Sequence, residues 1–343
     1  MEKIVKTLLQ GLDARAKDIL TGRFGLDGNA SLTLAELGEK YNITRERVRQ
    51  IEAFALGQSA KKMDESGASA LTEKALRFVK EMGGAVHDNA LVAELVKTTP
   101  KAMADAKSGN AVRFVMELSG KLIAHRGDDD YHPFWYLNEE SKKKAENFVG
   151  QLVKAVRNSK DAMLRGAQYD GVFAEAVKAS KISEPVGKVY MGISRKFMTS
   201  PFGDFGLAEW AEINPKTARE WAYIVVKKQN KPLHFTDIVA GINTYRKNKI
   251  ANVQTVHNEL IKDSRFVLVG RGMYGLQEFG ILPGTAREVI AHFIKEKGPL
   301  RSADVVKFVL QKRFFKEGTI MINLQNKKYF KNLGNGTYDL REV

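Results

Sequence analysis

The sequence predicts a mainly α chain in which a helix-turn-helix domain is followed by an array of winged-helix modules, each of three helices plus a small β-hairpin. Three observations predict it. Residues 31–56, SLTLAELGEKYNITRERVRQIEAFAL, spell two short capped helices around a tight turn. Later blocks place apolar residues at helical spacing and close on a glycine-bracketed hairpin signal. Those blocks also repeat. Residues 255–276 align without gaps onto 319–340, and seven of the twenty-two positions are identical.

The two-helix stretch can be justified residue by residue. Thr33 caps the first helix and Glu36, three residues on, completes a capping box, with Leu32 and Leu37 as the hydrophobic staple. Asn42 sits in the turn, where a left-handed backbone is needed. Thr44 caps the second helix, and Ile43 before it staples to Val48. Val48, Ile51 and Ala55 form the inward stripe. The opposite face carries Arg45, Glu46, Arg49 and Gln50, whose chemistry matches base edges: Arg forks onto guanine, Gln pairs with adenine, Glu accepts from cytosine, and a neighbouring Arg holds phosphate. An isolated T-x-x-E box would be read as a solvated surface helix. With both helices in place, the reading is DNA binding, since the start of the second helix is what meets the bases.

From Leu8 to Leu56 the chain closely resembles region four of the housekeeping bacterial sigma factors, through LLQGLDARAKDIL, RFGLDG and TLAELGEKYNITRERVRQIEAFAL. The resemblance implies promoter recognition in contact with core RNA polymerase. It makes Arg45, Glu46 and Gln50 the base readers and sets Arg23 and Arg49 near phosphate. The chain departs from the family at Phe54, Gly57 and Gln58, where basic residues are usual, which puts contacts to activators or flanking phosphate in doubt. Little precedes Leu8, so the protein is not expected to open a promoter with core polymerase alone.

Composition agrees with a double-stranded DNA partner. The net charge is +15 over 343 residues, and it is graded: residues 67–141 hold 9 basic against 11 acidic side chains, whereas 214–343 hold 23 against 11. Such an excess attracts polyanions. There is no cysteine, which removes disulfides and thiolate metal sites and fits a reducing cytoplasm. No apolar run reaches membrane-spanning length, and MEKIVKTLLQGL lacks a signal-peptide layout. A cytoplasmic, nucleoid-associated location is expected, with no cofactor and no small-molecule substrate.

The remaining chain divides into 67–141, 142–213, 214–282 and 283–343, after a helix-turn-helix domain at 1–66 and a short polar linker, MDESGASA. A helix begins at Leu71, with Ala75, Phe78 and Val79 on one face. TAREW at 217 returns as TAREV at 285, and Leu137, Leu207, Leu276 and Leu340 end successive units 70, 69 and 64 residues apart. A period this long is a small domain rather than a solenoid turn. The third unit is expected to hold helices near 217–229, 236–244 and 253–262 and strands about 265–269 and 273–276. Val253, Val256, Leu260 and Ile261 should pack inward, leaving Gln254, His257 and Asn258 facing bases, with Arg271 and the pair Lys327-Lys328 near phosphate. PLHFTDIVAGIN with DSRFVLVGRGMYGL looks like the HARE-type helix-turn-helix of the polymerase delta subunit and of chromatin and restriction proteins, and the fourth unit is similar. That likeness leaves two alternatives open: a winged-helix polymerase accessory that binds protein, or a DNA-modification-linked binder. The near-neutral first module, with Asp128, Asp129 and Asp130 in its wing, leans towards protein docking.

No enzyme is expected. Asp27, Asn29 and Ser31 start like a calcium loop, but Leu32 and Gly38 stand where glycine and glutamate are needed. The six histidines lack metal-ligand pairing, and GKVYMG lacks the P-loop spacing.

Overall fold

Side-chain caps set many of the helix starts. In this computed structural model, which describes residues 1–97, 105–161, 169–246, 249–270, 272–313 and 315–341, the chain forms helices with small antiparallel sheets and clusters into two units. The first unit is Met1–Met198 with Phe205–Ala208, and the second is Thr199–Asp204 with Glu209–Val343. Among the described residues no helix is long and apolar enough to cross a membrane.

The first unit opens with α1 (Glu2–Leu8), α2 (Ala14–Phe24), α3 (Leu34–Tyr41) and α4 (Arg45–Ala60). The expected polar linker is instead α5 (Met63–Ser66) and the start of α6 (Ala68–Glu81). Gly67 turns left-handed between them (φ 80°), and Ala68 is fully buried. The local composition is polar, but Met63 and Ala68 supply the two apolar contacts that anchor the segment to the core. The first module follows as α6, β1 (Ala85–His87), α7 (Asp88–Val96), α8 (Ala106–Ser119), β2 (Ile123–His125) and β3 (Phe134–Tyr136), with sheet order β1-β3-β2. Asp88 ties this module together, because its carboxylate accepts from Trp135 Nε1 at 2.9 Å and from Arg113 Nε at 2.8 Å.

One apolar core runs through the helix-turn-helix and the first module. It joins Leu8, Leu20 and Ala55 with Ala75, Val112, Val115 and Trp135, and α8 packs on both α2 and α4. Asn110 on α8 also donates to the carbonyl of Gly25 at 3.0 Å. Gly25 is the left-handed C-cap of α2 (φ 61°), and a Cβ there would stand 2.4 Å from the Asn29 carbonyl oxygen and 2.7 Å from Asn110 Nδ2. The boundary expected at residue 66 therefore falls within one continuous core. The second module comprises α9 (Glu139–Asn158), α10 (Tyr169–Ala179), α11 (Glu184–Gly192) and the hairpin β4 (Phe197–Thr199) with β5 (Phe205–Leu207). Phe148, Phe173 and Tyr190 meet at its centre.

In the second unit the same order appears twice. The third module is α12 (Ala218–Gln229), β6 (Leu233–His234), α13 (Phe235–Tyr245), α14 (Val253–Lys262), β7 (Phe266–Gly270) and β8 (Met273–Leu276). The fourth is α15 (Ala286–Lys297), β9 (Leu300–Arg301), α16 (Ser302–Lys312), α17 (Glu317–Leu324), β10 (Phe330–Gly334) and β11 (Thr337–Leu340). Sheet orders β6-β8-β7 and β10-β11-β9 are equivalent. The expected hairpin thus gains a third strand in three of the four modules, from a two- or three-residue segment before the second helix. The identities shared by 255–276 and 319–340 follow from register. Phe266 pairs with Leu276 as Phe330 does with Leu340, and the bulges at Leu268/Gly270 and Asn332/Gly334 coincide. Thr217 with Glu220 and Thr285 with Glu288 form the same capping box, which explains the repeated TARE. Trp210 and Trp221 are core residues.

On α14 the inward set is narrower than expected. Val256 and Leu260 are buried, but Val253 is 44% and Ile261 64% exposed. The helix rests chiefly on α12 and α13, and only the i, i+4 pair Val256 and Leu260 lies on that line of contact.

Candidate nucleic-acid interface

The helix-turn-helix is built by local contacts that fix the aim of α4. Glu36 N–H donates to Thr33 Oγ1 at 3.2 Å and Thr33 N–H donates to Glu36 Oε2 at 2.7 Å, closing α3 at its start. Asn42 ends α3 in the left-handed region (φ 51°, ψ 49°). Ile43 N–H then reaches back to the Gly38 carbonyl at 2.9 Å. A Cβ on Gly38 would lie 2.7 Å from the Ile43 carbonyl oxygen, so the turn needs glycine there. Thr44 Oγ1 accepts from Arg47 N–H and opens α4. Ile19, Leu37 and Val48 are fully buried beneath the two helices, with Leu32 and Ile43 packed against them as staples.

The face of α4 turned away from this core exposes Arg45, Glu46, Arg47, Arg49 and Gln50. They are ordered among themselves. Arg49 forks onto Glu46, Nε to Oε2 at 2.9 Å and Nη2 to Oε1 at 2.7 Å. That hydrogen bond holds the Glu46 carboxyl below its usual range and raises the Arg49 guanidinium. Arg47 Nη1 donates to Gln50 Oε1 at 3.1 Å. Arg45 makes no hydrogen bond or ion pair with any described residue. The positive end of the α4 dipole lies at this same corner, which favours an approaching phosphate.

Arg23 sits differently from the face residues. Its Nε pairs with Glu52 at 3.1 Å and its Nη1 donates to the Leu32 carbonyl at 3.2 Å, so it braces α2 against α4. Phe54 is 62% exposed further along α4. Arg47 was not singled out from the sequence, although its i, i+3 spacing to Gln50 was a readable signal.

The second set of expected contacts is only partly assembled. Gln254 Nε2 donates to Asn258 Oδ1 at 3.1 Å, and both side chains are exposed. His257 is not fully outward as expected: its ring stacks on Phe235 at 4.6 Å and meets Tyr274 edge-on at 5.9 Å. The cause is the aromatic pair beneath it, which shelters an imidazole more readily than water does. Lys327 and Lys328 are exposed, Lys328 lying 5.6 Å above the Tyr329 ring. Arg271 lies outside the described residues. On α17, the aligned counterpart of Asn258 is Ile322, 72% exposed, and that of Gln254 is Gly318.

Residues 8–58 match the family described as Sigma-70, region 4. The RNA polymerase sigma factor RpoD of Neisseria gonorrhoeae is 45% identical over 56 residues, 16% of this chain and 9% of that protein. The sigma factor SigA of Nostoc sp. is 48% identical over 52 residues, 15% of this chain and 13% of its own length. These matches support a sigma region-4 domain at residues 8–58, which includes the helix-turn-helix.

Proposed function

We propose that the protein binds double-stranded DNA in a sequence-specific way through α4, recognises promoter-type sequence as the sigma factors it resembles do, and works in contact with RNA polymerase. The observation that carries this reading is the outward corner of α4. An unpartnered Arg45 stands beside ordered Glu46-Arg49 and Arg47-Gln50 pairs, at the start of the second helix of a region-4-type domain. That corner holds the donor and acceptor types that base edges take, on a helix whose aim is fixed by two caps and a glycine turn. Arg45, Glu46 and Gln50 read bases in this account, and Arg49 approaches phosphate once it leaves Glu46. Arg23 acts by bracing. The role is one of binding without catalysis. Genome-wide DNA pulldown with identification of co-purifying proteins tests it. Recovery of one recurrent motif together with polymerase subunits is expected, and random DNA with no polymerase would sink the reading.

A second reading rests on α17. Where the aligned helix of the third module shows Gln254 and Asn258, α17 shows Gly318 and Ile322, two positions without a hydrogen-bonding side chain for a base edge. In this reading the fourth module docks protein, and DNA contact belongs to the first domain. Ile322→Asn should then deplete co-purifying protein and leave the DNA motif unchanged.

A further inference from the structure

In the second unit a cleft of about 380 Å³ opens between the third and fourth modules. Three cations line it, Lys231, Lys312 and Arg313, beside the apolar side chains of Phe279 and Leu310. Neither lysine has an ion pair or hydrogen bond among the described residues. Arg313 is 3% exposed. Its guanidinium donates to the carbonyls of Leu282 and Leu268 and lies 4.6 Å over the Phe315 ring, and its Nε has no acceptor. Carbonyls satisfy donors but do not neutralise a charge, and a buried arginine ordinarily has a carboxylate. Among the described residues no carboxylate pairs with it. Burial alone accordingly draws its pKa below the ordinary value. The one carboxylate among the lining residues, Glu278, is engaged by Tyr223 Oη at 3.1 Å and Lys227 at 3.7 Å.

We infer that this cleft binds a phosphate group, with Lys231 and Lys312 at its oxygens and Arg313 as the fixed charge behind them. The lining side chains, three cations and Glu278, leave an excess of two positive charges, which one dianionic phosphate monoester or two successive backbone phosphodiesters balance and a single carboxylate does not. Two sources share that chemistry: a free phosphate ester, whose organic part would rest on Phe279 and Leu310, and the phosphates of a nucleic-acid backbone. The second source rests on the DNA-binding reading, and the first is independent of it.

The test uses the full chain and the double variant Lys231→Gln/Lys312→Gln, which alters exposed side chains and keeps Arg313 in place. Thermal unfolding is followed in inorganic phosphate and in chloride at equal ionic strength. Affinity for a DNA duplex is measured in parallel across a salt series. Phosphate should raise the midpoint of the natural protein by several degrees over chloride, and the double variant should need at least tenfold more phosphate for the same rise. Arg313→Met should abolish the rise, its midpoint in chloride reporting separately on folding. If the salt slope of DNA binding also flattens in the double variant, by about 0.9 for each phosphate no longer neutralised, the source is the backbone; an unchanged slope with an abolished phosphate response assigns a free ester. A flattened slope alone also assigns the cleft to backbone phosphate. If neither the phosphate response nor the slope changes in the double variant, the inference is wrong. If the natural protein binds no duplex, the DNA reading fails and the phosphate arm alone decides.

Discussion

An arginine can only donate, and this fixes the orientation of Gln50. Because Arg47 Nη1 faces the Gln50 amide at 3.1 Å, the atom facing it is the carbonyl oxygen, and the NH2 group is left for the neighbouring Glu46 carboxylate. Held this way, Gln50 is engaged within the face and does not present the paired donor and acceptor that adenine takes. Arg47→Ala should release the amide and shift the preferred base at one position towards adenine, read by selection from random DNA. Arg45→Ala removes an unpartnered reader and should cost about 1–3 kcal/mol of binding, relaxing one base pair. An unchanged motif with Arg45→Ala would show that α4 does not read sequence. The polar face was legible because its members fall within six residues around Val48 and the two helices announce themselves by their caps. Its pairs were signalled only by i, i+3 spacing, which does not choose among five long side chains lying close together. Arg23 shows the same limit: its reach to Glu52 spans twenty-nine residues of sequence and depends on how α2 crosses α4.

At the scale of single elements, the capping boxes carry a pH dependence. Glu36 and Glu288 accept backbone N–H bonds from Thr33 and Thr285, which holds both carboxyls below their ordinary range. A carboxyl depressed in the folded state stabilises fully above its unfolded value, about 4.3, and loses that contribution as pH falls through the folded value. Acid titration by circular dichroism should therefore show helix loss below about pH 4, and Glu36→Gln with Glu288→Gln should flatten it. Thr33→Ala should lower stability by about 0.5–2 kcal/mol through loss of the same cap, measured by denaturant unfolding. Helix starts and the paired hairpins of the last two modules were readable because each rests on contacts within a few residues. The strands β6 and β9 have two residues each, too few to show any period. The outward turn of Val253 and Ile261 follows from how α14 lies across its sheet, which spacing alone does not specify.

For the whole molecule, the charge gradient predicts where salt sensitivity resides. Residues 214–343 carry 23 basic against 11 acidic side chains, so deleting them should flatten the slope of log K against log salt by several units while the preferred base pairs of α4 stay the same. Equal slopes in full-length and truncated protein would place these modules on protein rather than DNA. The core common to α2, α4 and α8 bears on a different question, that of phase. Asn110 on α8 holds the C-cap of α2, and the packing continues through Ala55 of α4, so a turn of the reading helix about the duplex turns the first module with it. Anything seated on that module consequently points in a fixed compass direction around the DNA axis. Adding about five base pairs between the site read by α4 and a neighbouring bound factor would swing the two to opposite sides of the double helix, and about ten would bring them back into line. Cooperation between them should oscillate with spacer length, whereas a floppy tether would let it decay smoothly.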